Sequence, residues 1–366
     1  MKYVEEFRDP DTALRLADAI RRALPRPMRL MEVCGTHTMA IARSGIRRLL
    51  PDSLRLVSGP GCPVCVTSQT EIDRFIEMGR SPDTILATFG DMIRVPGSRI
   101  SLEQVRAMGA DVRVVYSPLD AVTVASENPD RRVLFFGIGF ETTAPAVALS
   151  ILEADKAGLG NYLVLAAHKT IPQAMSALAS DPEVAVDGFI CPGHVTSVIG
   201  SRAYEPIATE CGIPCVVAGF EPLDILQAVL MLVRQAAEGR SEVEVQYSRA
   251  VSGGGNPAAL RCIREVFRPC DAEWRGLGVI PGSGLRLRSE FAAYDASRSG
   301  VQLPADRQVG SGECECGAIL KGLKSPRECA AFGKPCRPER PLGPCMVSSE
   351  GACAAEYRYS DVEVTP

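Results

Sequence analysis

A seven-residue motif, GPGCPVC over residues 59–65, carries two thiols whose spacing suits metal or redox chemistry. A CxxC pair can form half of a zinc site, exchange disulfides, or supply soft thiolates to iron. An apolar run precedes the motif and a helical pattern follows it. We therefore expect Cys62 and Cys65 at a helix start, where the helix N-terminus lowers a thiol pKa. The motif alone leaves these three uses, and simple burial of both thiols, open.

Further side chains capable of chemistry follow short apolar runs elsewhere in the chain. They are Cys34 and His37 in CGTHT, Asp91 in FGDM, Glu141 in GFETT, and His194 in CPGHV. If the runs are strands of parallel sheets, the loops after them gather at one edge, where α/β proteins bind ligands. We therefore expect these side chains to share one cleft with the CxxC pair, as candidate catalytic or iron-binding residues.

Several residues beside these have ordinary structural roles in this prediction. His168 in AAHKT is more often a structural side chain than a catalytic one, and Thr142 or Thr143 can equally serve as a helix cap. Five further cysteines are expected to be small buried hydrophobic residues, namely Cys191, Cys211, Cys215, Cys262 and Cys270.

A second concentration of thiols lies near the C-terminus, where six of the fourteen cysteines fall between residues 314 and 353. Four of them, in the pattern C-x14-C-x6-C-x16-C, could bind a [4Fe–4S] cluster or a structural zinc, and the spacing does not decide between these. The remaining two, Cys316 and Cys345, exceed what zinc needs and favour a redox disulfide beside a cluster. The four candidate ligands are Cys314, Cys329, Cys336 and Cys353.

The elements that must position these residues alternate between strand and helix patterns, which indicates α/β architecture with parallel sheets. The units in residues 28–125 recur in residues 126–240 at an offset of about 103–109 residues, which suggests a duplication. We predict two similar parallel-sheet α/β lobes around a cleft, with an N-terminal helix in residues 1–27 that packs on the C-terminal domain. Residues 241–366 form that domain, which is poor in apolar residues at its end and needs a metal to hold it.

Composition excludes several classes of protein. The net charge of −4 and the aromatic content of 5% argue against a nucleic-acid binder. No apolar run reaches the roughly 18–20 residues of a membrane span, and the acidic start MKYVEEFRDPD is unlike a secretory signal. We expect a cytoplasmic protein whose thiols serve metal or redox chemistry and not a disulfide framework.

Taken together, the motifs resemble the HypD family of hydrogenase maturation factors. The resemblance is carried by CGTHT, GPGCPVC, FGDMIRVPGS, GFETTAP, CPGHV, GFEPLDIL and the whole C-terminal cysteine segment, and it runs from about residue 30 to the end. Thr38 and Met39 follow His37 where relatives often continue CGTHEH, so the resemblance assigns no iron-ligand role after His37.

The resemblance implies a scaffold that works with the small partner HypC to assemble the Fe(CN)2CO unit of [NiFe]-hydrogenase, with cyanide arriving from HypE and HypF. It implies that iron is held at Cys34, Cys62 and Cys65, and that Cys316 and Cys345 form a redox pair. It further implies a [4Fe–4S] cluster on Cys314, Cys329, Cys336 and Cys353, within an iron–sulfur domain that follows two α/β domains.

Three function classes follow for this chain. The first is an assembly scaffold, redox-active but not a conventional turnover enzyme, in which the cluster relays electrons through the Cys316–Cys345 pair to the cleft. The second is an iron–sulfur thiol/disulfide reductase of the ferredoxin:thioredoxin reductase type, whose CxC arrangement Cys314–Cys316 resembles. The third is a zinc-stabilised binding module without redox chemistry.

Overall fold

Two parallel β-sheets organise the computed structural model, which describes residues 5–301, 303 and 314–359. The first sheet has the order β2-β1-β7-β8-β9 and the second the order β4-β3-β5-β6. A separate antiparallel hairpin is formed by β10 and β11. The strands are β1 Met28–Glu32, β2 Leu54–Ser58, β3 Thr84–Thr88, β4 Asp111–Val114, β5 Arg132–Gly137, β6 Tyr162–Ala166, β7 Gly188–Pro192, β8 Cys215–Ala218, β9 Val243–Val245, β10 Phe267–Trp274 and β11 Gly278–Leu287.

Helices follow most of the parallel strands, as crossover connections require. Serine capping boxes begin three of them, at Ser68, Ser101 and Ser117. The helices are α1 Pro10–Ala23, α2 Gly35–Ser44, α3 Ile46–Leu49, α4 Pro63–Val66, α5 Gln69–Met78, α6 Leu102–Ala107, α7 Pro118–Glu127, α8 Ala144–Lys156, α9 Ile171–Ala179, α10 Gly193–Ile199, α11 Glu205–Glu210, α12 Pro222–Ala237, α13 Pro257–Val266, α14 Cys316–Leu320, α15 Pro344–Val347 and α16 Ala352–Tyr359.

The prediction of two similar parallel-sheet lobes is confirmed, and the two strand orders correspond element by element. The run β2-β1-β7-β8 of the first sheet matches β6-β5-β3-β4 of the second, at the offset that the sequence repeat shows. Each sheet therefore combines two strands from residues 28–125 with two from residues 126–240.

The predicted boundary between lobes at residues 125 and 126 is consequently wrong. Strands β1 and β2 belong with β7 and β8, while β3 and β4 belong with β5 and β6. Hydrophobic patterns show that a strand exists, but its partner depends on packing between distant parts of the chain. The repeat was visible in the sequence, whereas the exchange of its halves was not.

The N-terminal helix also differs from its prediction. Helix α1 packs on α12 of the first lobe, and not on the C-terminal domain, with Ile20 buried in a core that includes Leu226. Arg8 Nε also lies 2.6 Å from Glu221 Oε2 at the start of α12. Ten residues of α12 are buried, so this apolar helix offers the amphipathic α1 a surface that the polar C-terminal segment lacks.

The cysteine-rich C-terminal segment packs where the first sheet ends. Helix α16 contacts α2, and α15 contacts α4, so this segment touches both helices that begin at cysteine motifs. Within the described residues, no helix is both long and apolar enough to cross a membrane.

Candidate thiol and metal site

Cys34 lies at the carboxyl end of β1, where the chain turns into α2. Its loop contacts the CPVC loop directly, since Gly35 N donates to Gly61 O at 2.9 Å. A Cβ added at Gly61 would lie 2.1 Å from the Cys34 backbone nitrogen, so only glycine permits this approach. The structure thus brings together the two motifs that thirty residues separate in the sequence.

Cys62 and Cys65 are both buried at the start of α4. The Cys62 sulfur accepts a hydrogen bond from the Cys65 N–H at 3.3 Å. The expected lowering of a thiol pKa at this helix start is not found at Cys65, because burial raises its pKa well above the usual value. A helix of four residues provides too small a dipole to offset that desolvation.

A row of sulfur atoms continues from this pair into the C-terminal segment. Cys62 and Cys345 are neighbouring thiols of Cys65, Cys316 is a neighbour of Cys345, and Cys353 is a neighbour of Cys316. We call these five residues the sulfur row. None of the fourteen cysteines forms a disulfide, and the predicted pair Cys316 and Cys345 are neighbours within the row.

At the far end of the sulfur row, four cysteines line one small cavity. Cys314, Cys329, Cys336 and Cys353 surround it together with Cys316 and apolar side chains such as Phe332 and Met346. Cys314 Sγ lies 3.0 Å from Cys316 Sγ.

The four cysteines form a donor set that suits the cofactor predicted from the sequence. It consists of thiols in an apolar setting, which fits a [4Fe–4S] cluster. Among the described residues, no three His, Cys, Asp or Glu side chains converge on a single metal ion. A cluster needs no such convergence, because each cysteine binds a different iron.

Near Cys34, two histidines stack on the same aromatic ring. His37 stacks on Phe220 at 4.7 Å between ring centroids, and His194 stacks on the same ring at 3.8 Å. His37 Nε2 lies 2.8 Å from the Gly219 carbonyl oxygen, to which it donates. Burial lowers the pKa of His37 to about 4, so the ring is neutral at pH 7 and anchors α2 to the loop after β8.

Two carboxylates beside Cys34 were missed by the sequence prediction. Glu32, fully buried in β1, accepts hydrogen bonds from Cys34 N at 3.1 Å and Thr38 Oγ1 at 2.5 Å. Burial raises the Glu32 pKa to about 7. Its one signal in the sequence was a lone acid within the apolar run MRLMEVC.

The second carboxylate, Glu350, comes from the cysteine-rich segment. Its Oε1 accepts a hydrogen bond from Thr36 Oγ1 at 2.7 Å, and its side chain covers Gly35. Burial raises the pKa of Cys34 to about 12, and Glu350 adds to that rise. Nothing in the local sequence distinguishes Glu350 from an ordinary loop residue.

The remaining predicted site residues lie at the second sheet. Asp91 is exposed on the 3₁₀ turn Gly90–Met92. Glu141 is buried, and its Oε1 accepts a hydrogen bond from Ile171 N at 3.0 Å, which caps α9. No hydrogen bond between described residues joins Asp91 or Glu141 to the sulfur row, and their place in a shared cleft stays a prediction.

The residues predicted to have structural roles differ in their burial and in their hydrogen bonds. His168 is buried, and neither of its ring nitrogens has a partner among the described residues; burial lowers its pKa to about 3. Thr143 occupies the N-cap of α8 without a capping side-chain hydrogen bond. Of the five cysteines expected to be buried, Cys191 and Cys215 are, whereas the other three are only partly buried, namely Cys211, Cys262 and Cys270.

Comparison with known proteins adds a consistent result. A family model named HypD, described as "Hydrogenase formation hypA family", matches residues 11–360. The chain is 54% identical over 368 residues to the hydrogenase maturation factor HypD of Azotobacter vinelandii, covering 98% of this chain and 97% of that protein. It is 45% identical over 374 residues to hydrogenase maturation factor HypD of Escherichia coli (strain K12), covering 99% of each.

Proposed function

Because the chain belongs to the HypD family of hydrogenase maturation factors, we propose that it is the scaffold on which the iron of [NiFe]-hydrogenase acquires its cyanide and carbon monoxide ligands. The observation that carries the proposal is the contact between the Cys34 loop and the CPVC loop. It joins the loops that carry three buried thiols, and the sulfur row leads from the CPVC pair towards a four-cysteine pocket.

Iron is the cargo in this proposal, and Cys34 is its anchor. The Cys34 thiol is protonated at pH 7 because burial raises its pKa to about 12, so iron binding releases a proton. A cysteine of HypC supplies the second thiolate, and Cys62 and Cys65 either bind the iron or alternate between dithiol and disulfide. Soft sulfur ligands suit iron that carries cyanide and carbon monoxide.

The partners proposed for the chain are HypC and the cyanide-supplying pair HypE and HypF. The buried setting of Cys34 keeps water from competing with the incoming ligands. His37 and His194 hold Phe220 between them, which fixes the loops after β1, β7 and β8 around Cys34. The chain therefore orients and shields a reacting metal and is not a conventional turnover enzyme.

The C-terminal pocket is proposed to hold a [4Fe–4S] cluster on Cys314, Cys329, Cys336 and Cys353. When bound, such a cluster supplies single electrons. The chain's own contribution is the sulfur row, in which Cys65, Cys345 and Cys316 are neighbouring thiols. Thiol–disulfide exchange along the row conserves electrons, since one S–S bond breaks as the next one forms.

The proposal is tested by replacing Cys34 with Ala and purifying the chain anaerobically together with HypC. We expect infrared bands of iron-bound cyanide and carbon monoxide in the wild-type complex and none in Cys34→Ala, with the visible absorbance of the cluster unchanged. Cys262→Ala, a partly buried cysteine on α13, serves as the matched control and should keep the bands. Bands of undiminished intensity in Cys34→Ala would exclude this site.

A second candidate function is an iron–sulfur thiol/disulfide reductase. It is favoured by the position of Cys316, which has both Cys345 and Cys353 as neighbouring thiols. A reductase of this kind would show a cluster and a reducible disulfide but no cyanide or carbon monoxide bands in any preparation, so the same infrared measurement separates the two functions.

A further inference from the structure

We propose, building on the function above, that Arg275 is a positioning residue that sets the reduction potential of the thiolate-bound centre at the end of the sulfur row. The hydrogen bonds of its backbone and side chain lie beside Cys65, and its neighbour Gly276 packs beside Cys316, so it lies near two members of that row. Neither the cysteine motifs nor the predicted cleft pointed to Arg275.

The tip of hairpin β10–β11 meets the CPVC end of the sulfur row. Arg275 N donates to the carbonyl oxygen of Val66 at 2.9 Å, one residue after Cys65. Its neighbour Trp274 forms an antiparallel β-bridge with Thr67. The tip of the hairpin thus pairs with the backbone that directly follows the CPVC motif, as two short antiparallel strands would.

The same tip also meets the chain beside Cys316, another member of the row. A Cβ built at Gly276 would lie 2.3 Å from the Gly317 Cα. Gly276 also has a φ of +80°, so glycine is favoured here on both grounds. Because Gly317 directly follows Cys316, the tip packs next to Cys316 as well as next to the CPVC loop.

The guanidinium of Arg275 has an unusual set of partners. Its Nε donates to Thr67 O at 3.1 Å and its Nη2 donates to Pro96 O at 3.2 Å. Among the described residues, no carboxylate lies at ion-pair distance from it. A partly buried arginine ordinarily has an anionic partner. Because Arg275 has no such carboxylate among the described residues, its positive charge can interact with negative charge that develops on nearby groups.

The groups that develop such charge are the cysteines. Burial lowers the pKa of Arg275, while the thiols Cys316, Cys314, Cys345 and Cys65 act to raise it. An arginine side chain nevertheless stays protonated in proteins. Arg275 is therefore a permanent positive charge facing sulfur atoms that become anionic when they bind metal.

The consequence concerns reduction. When a one-electron donor reduces a centre held by thiolates, the centre gains one negative charge. A fixed positive charge stabilises this reduced state, and its removal makes reduction harder. Arg275 reaches the centre through charge and not through contact, since its hydrogen bonds go to backbone oxygens.

The test compares three variants of the full chain, purified anaerobically with the cluster in place. Arg275→Gln removes the charge, and Arg275→Lys keeps it but loses the forked hydrogen bonds. Arg288→Gln is the matched control, because Arg288 also donates to a backbone oxygen, that of Arg264 at 2.7 Å, near the far end of the same hairpin. Each protein is titrated with dithionite and redox mediators, and the reduced cluster is quantified by electron paramagnetic resonance.

At a fixed solution potential, we expect the ratio of reduced to oxidised cluster to fall on the order of tenfold in Arg275→Gln. Arg275→Lys and Arg288→Gln should stay within about twofold of wild type, as a charge effect requires. Equal ratios in wild type and Arg275→Gln, or equal losses in the Gln and Lys variants, overturn the inference.

Two further outcomes are informative. If Arg275→Gln does not retain the cluster, the result for Arg275→Lys decides the matter. A cluster kept by Arg275→Lys supports a role for the positive charge. A cluster lost from both variants shows that Arg275 has a merely structural role. A wild-type protein without a cluster, judged from its iron content, overturns the proposed function and this inference together. If the wild-type protein holds a cluster and its reduction potential is the same in Arg275→Gln, only the inference is overturned.

Discussion

The two sheets share one topology, yet their carboxyl edges are used differently. At the first sheet the loops after β1 and β2 touch, and a cysteine from each loop contributes a buried thiol. At the second sheet the hairpin β10–β11 covers the loop after β6, since Thr170 N donates to Ser283 O at 2.9 Å and Leu285 N to His168 O at 3.4 Å. A duplicated frame therefore provides two possible sites, and the loops determine which one carries chemistry.

The difference also lies in what each edge buries. Around Cys34, polar atoms of Glu32, Thr38 and His37 are tied by hydrogen bonds to one another or to backbone. At the second edge, one oxygen of Glu141 and both nitrogens of His168 lack partners among the described residues. Within the described part of the chain, the first edge leaves only His37 Nδ1 unpaired among these three side chains, whereas the second leaves three buried polar atoms of Glu141 and His168 unpaired, which costs more stability.

The largest expected difference between the two edges comes from replacing one glycine at each edge with alanine, which adds a methyl group. Gly61→Ala should destabilise the fold by about 3 kcal/mol or more and abolish hydrogenase maturation, because its Cβ would meet backbone at 2.1 Å. Gly137→Ala at the second sheet meets the His168 side chain at 3.2 Å and should cost about 1 kcal/mol. Urea unfolding and a maturation assay measure both; similar effects of the two changes would contradict the asymmetry.

The second prediction concerns pH and the second edge. Burial raises the pKa of Glu141 to about 7 from an ordinary value of 4.5, so the folded state keeps a proton that the unfolded state loses. Its contribution to stability is complete below pH 4.5 and is lost as the pH rises to about 7. Over that window Glu141 should lower the free energy of unfolding by on the order of 3 kcal/mol, and Glu32, whose pKa burial also raises to about 7, adds to the fall.

Glu141→Gln isolates this contribution, because the glutamine oxygen can still accept the hydrogen bond from Ile171 N. Urea unfolding between pH 4.5 and 7.5 should show a flatter pH dependence in Glu141→Gln than in wild type. Glu153→Gln, an exposed position on α8, is the control and should leave the dependence as it is. A wild-type slope that survives in Glu141→Gln would assign the proton to another group.

The smallest effect tests whether the two edges are coupled. The buried Lys169 of the second edge pairs with Glu71 of α5, the helix after the thiol pair, at 2.6 Å. Lys169→Met, Glu71→Gln and the double variant form a cycle in which Gln can keep the capping box with Ser68. We expect a coupling free energy of about 1–2 kcal/mol; a value near zero would mean that the edges are energetically independent.

Much of this architecture was predictable from the sequence. Alternating patterns identified the parallel strands, and the repeated order of motifs identified two similar lobes. The contact of the Cys34 loop with the CPVC loop was also predictable, since both follow strands whose loops share an edge. The redox disulfide expected of Cys316 and Cys345 from the surplus of thiols stays a prediction.

What escaped prediction depends on contacts between distant residues. Strand pairing across the repeats has no local signature, because β1 pairs with β7 through packing of the whole core. Glu350 and Arg275 come from loops with ordinary local sequence and gain significance only from what they face. Asp91 and Glu141 were grouped with the thiols because equivalent loops were assumed to face one site, and that grouping stays a prediction.

The exchange of strands between the repeats has a further consequence for how this chain is assembled. A break between residues 125 and 126 would leave the first fragment with two strands of each sheet and the second with β7, β8 and β9 of one sheet and β5 and β6 of the other, so neither fragment could complete a sheet alone. The chain passes from one sheet to the other after β2 and again after β6. The two lobes are thus held together by their own connectivity, and each half of the duplicated sequence needs strands of the other half to complete both sheets.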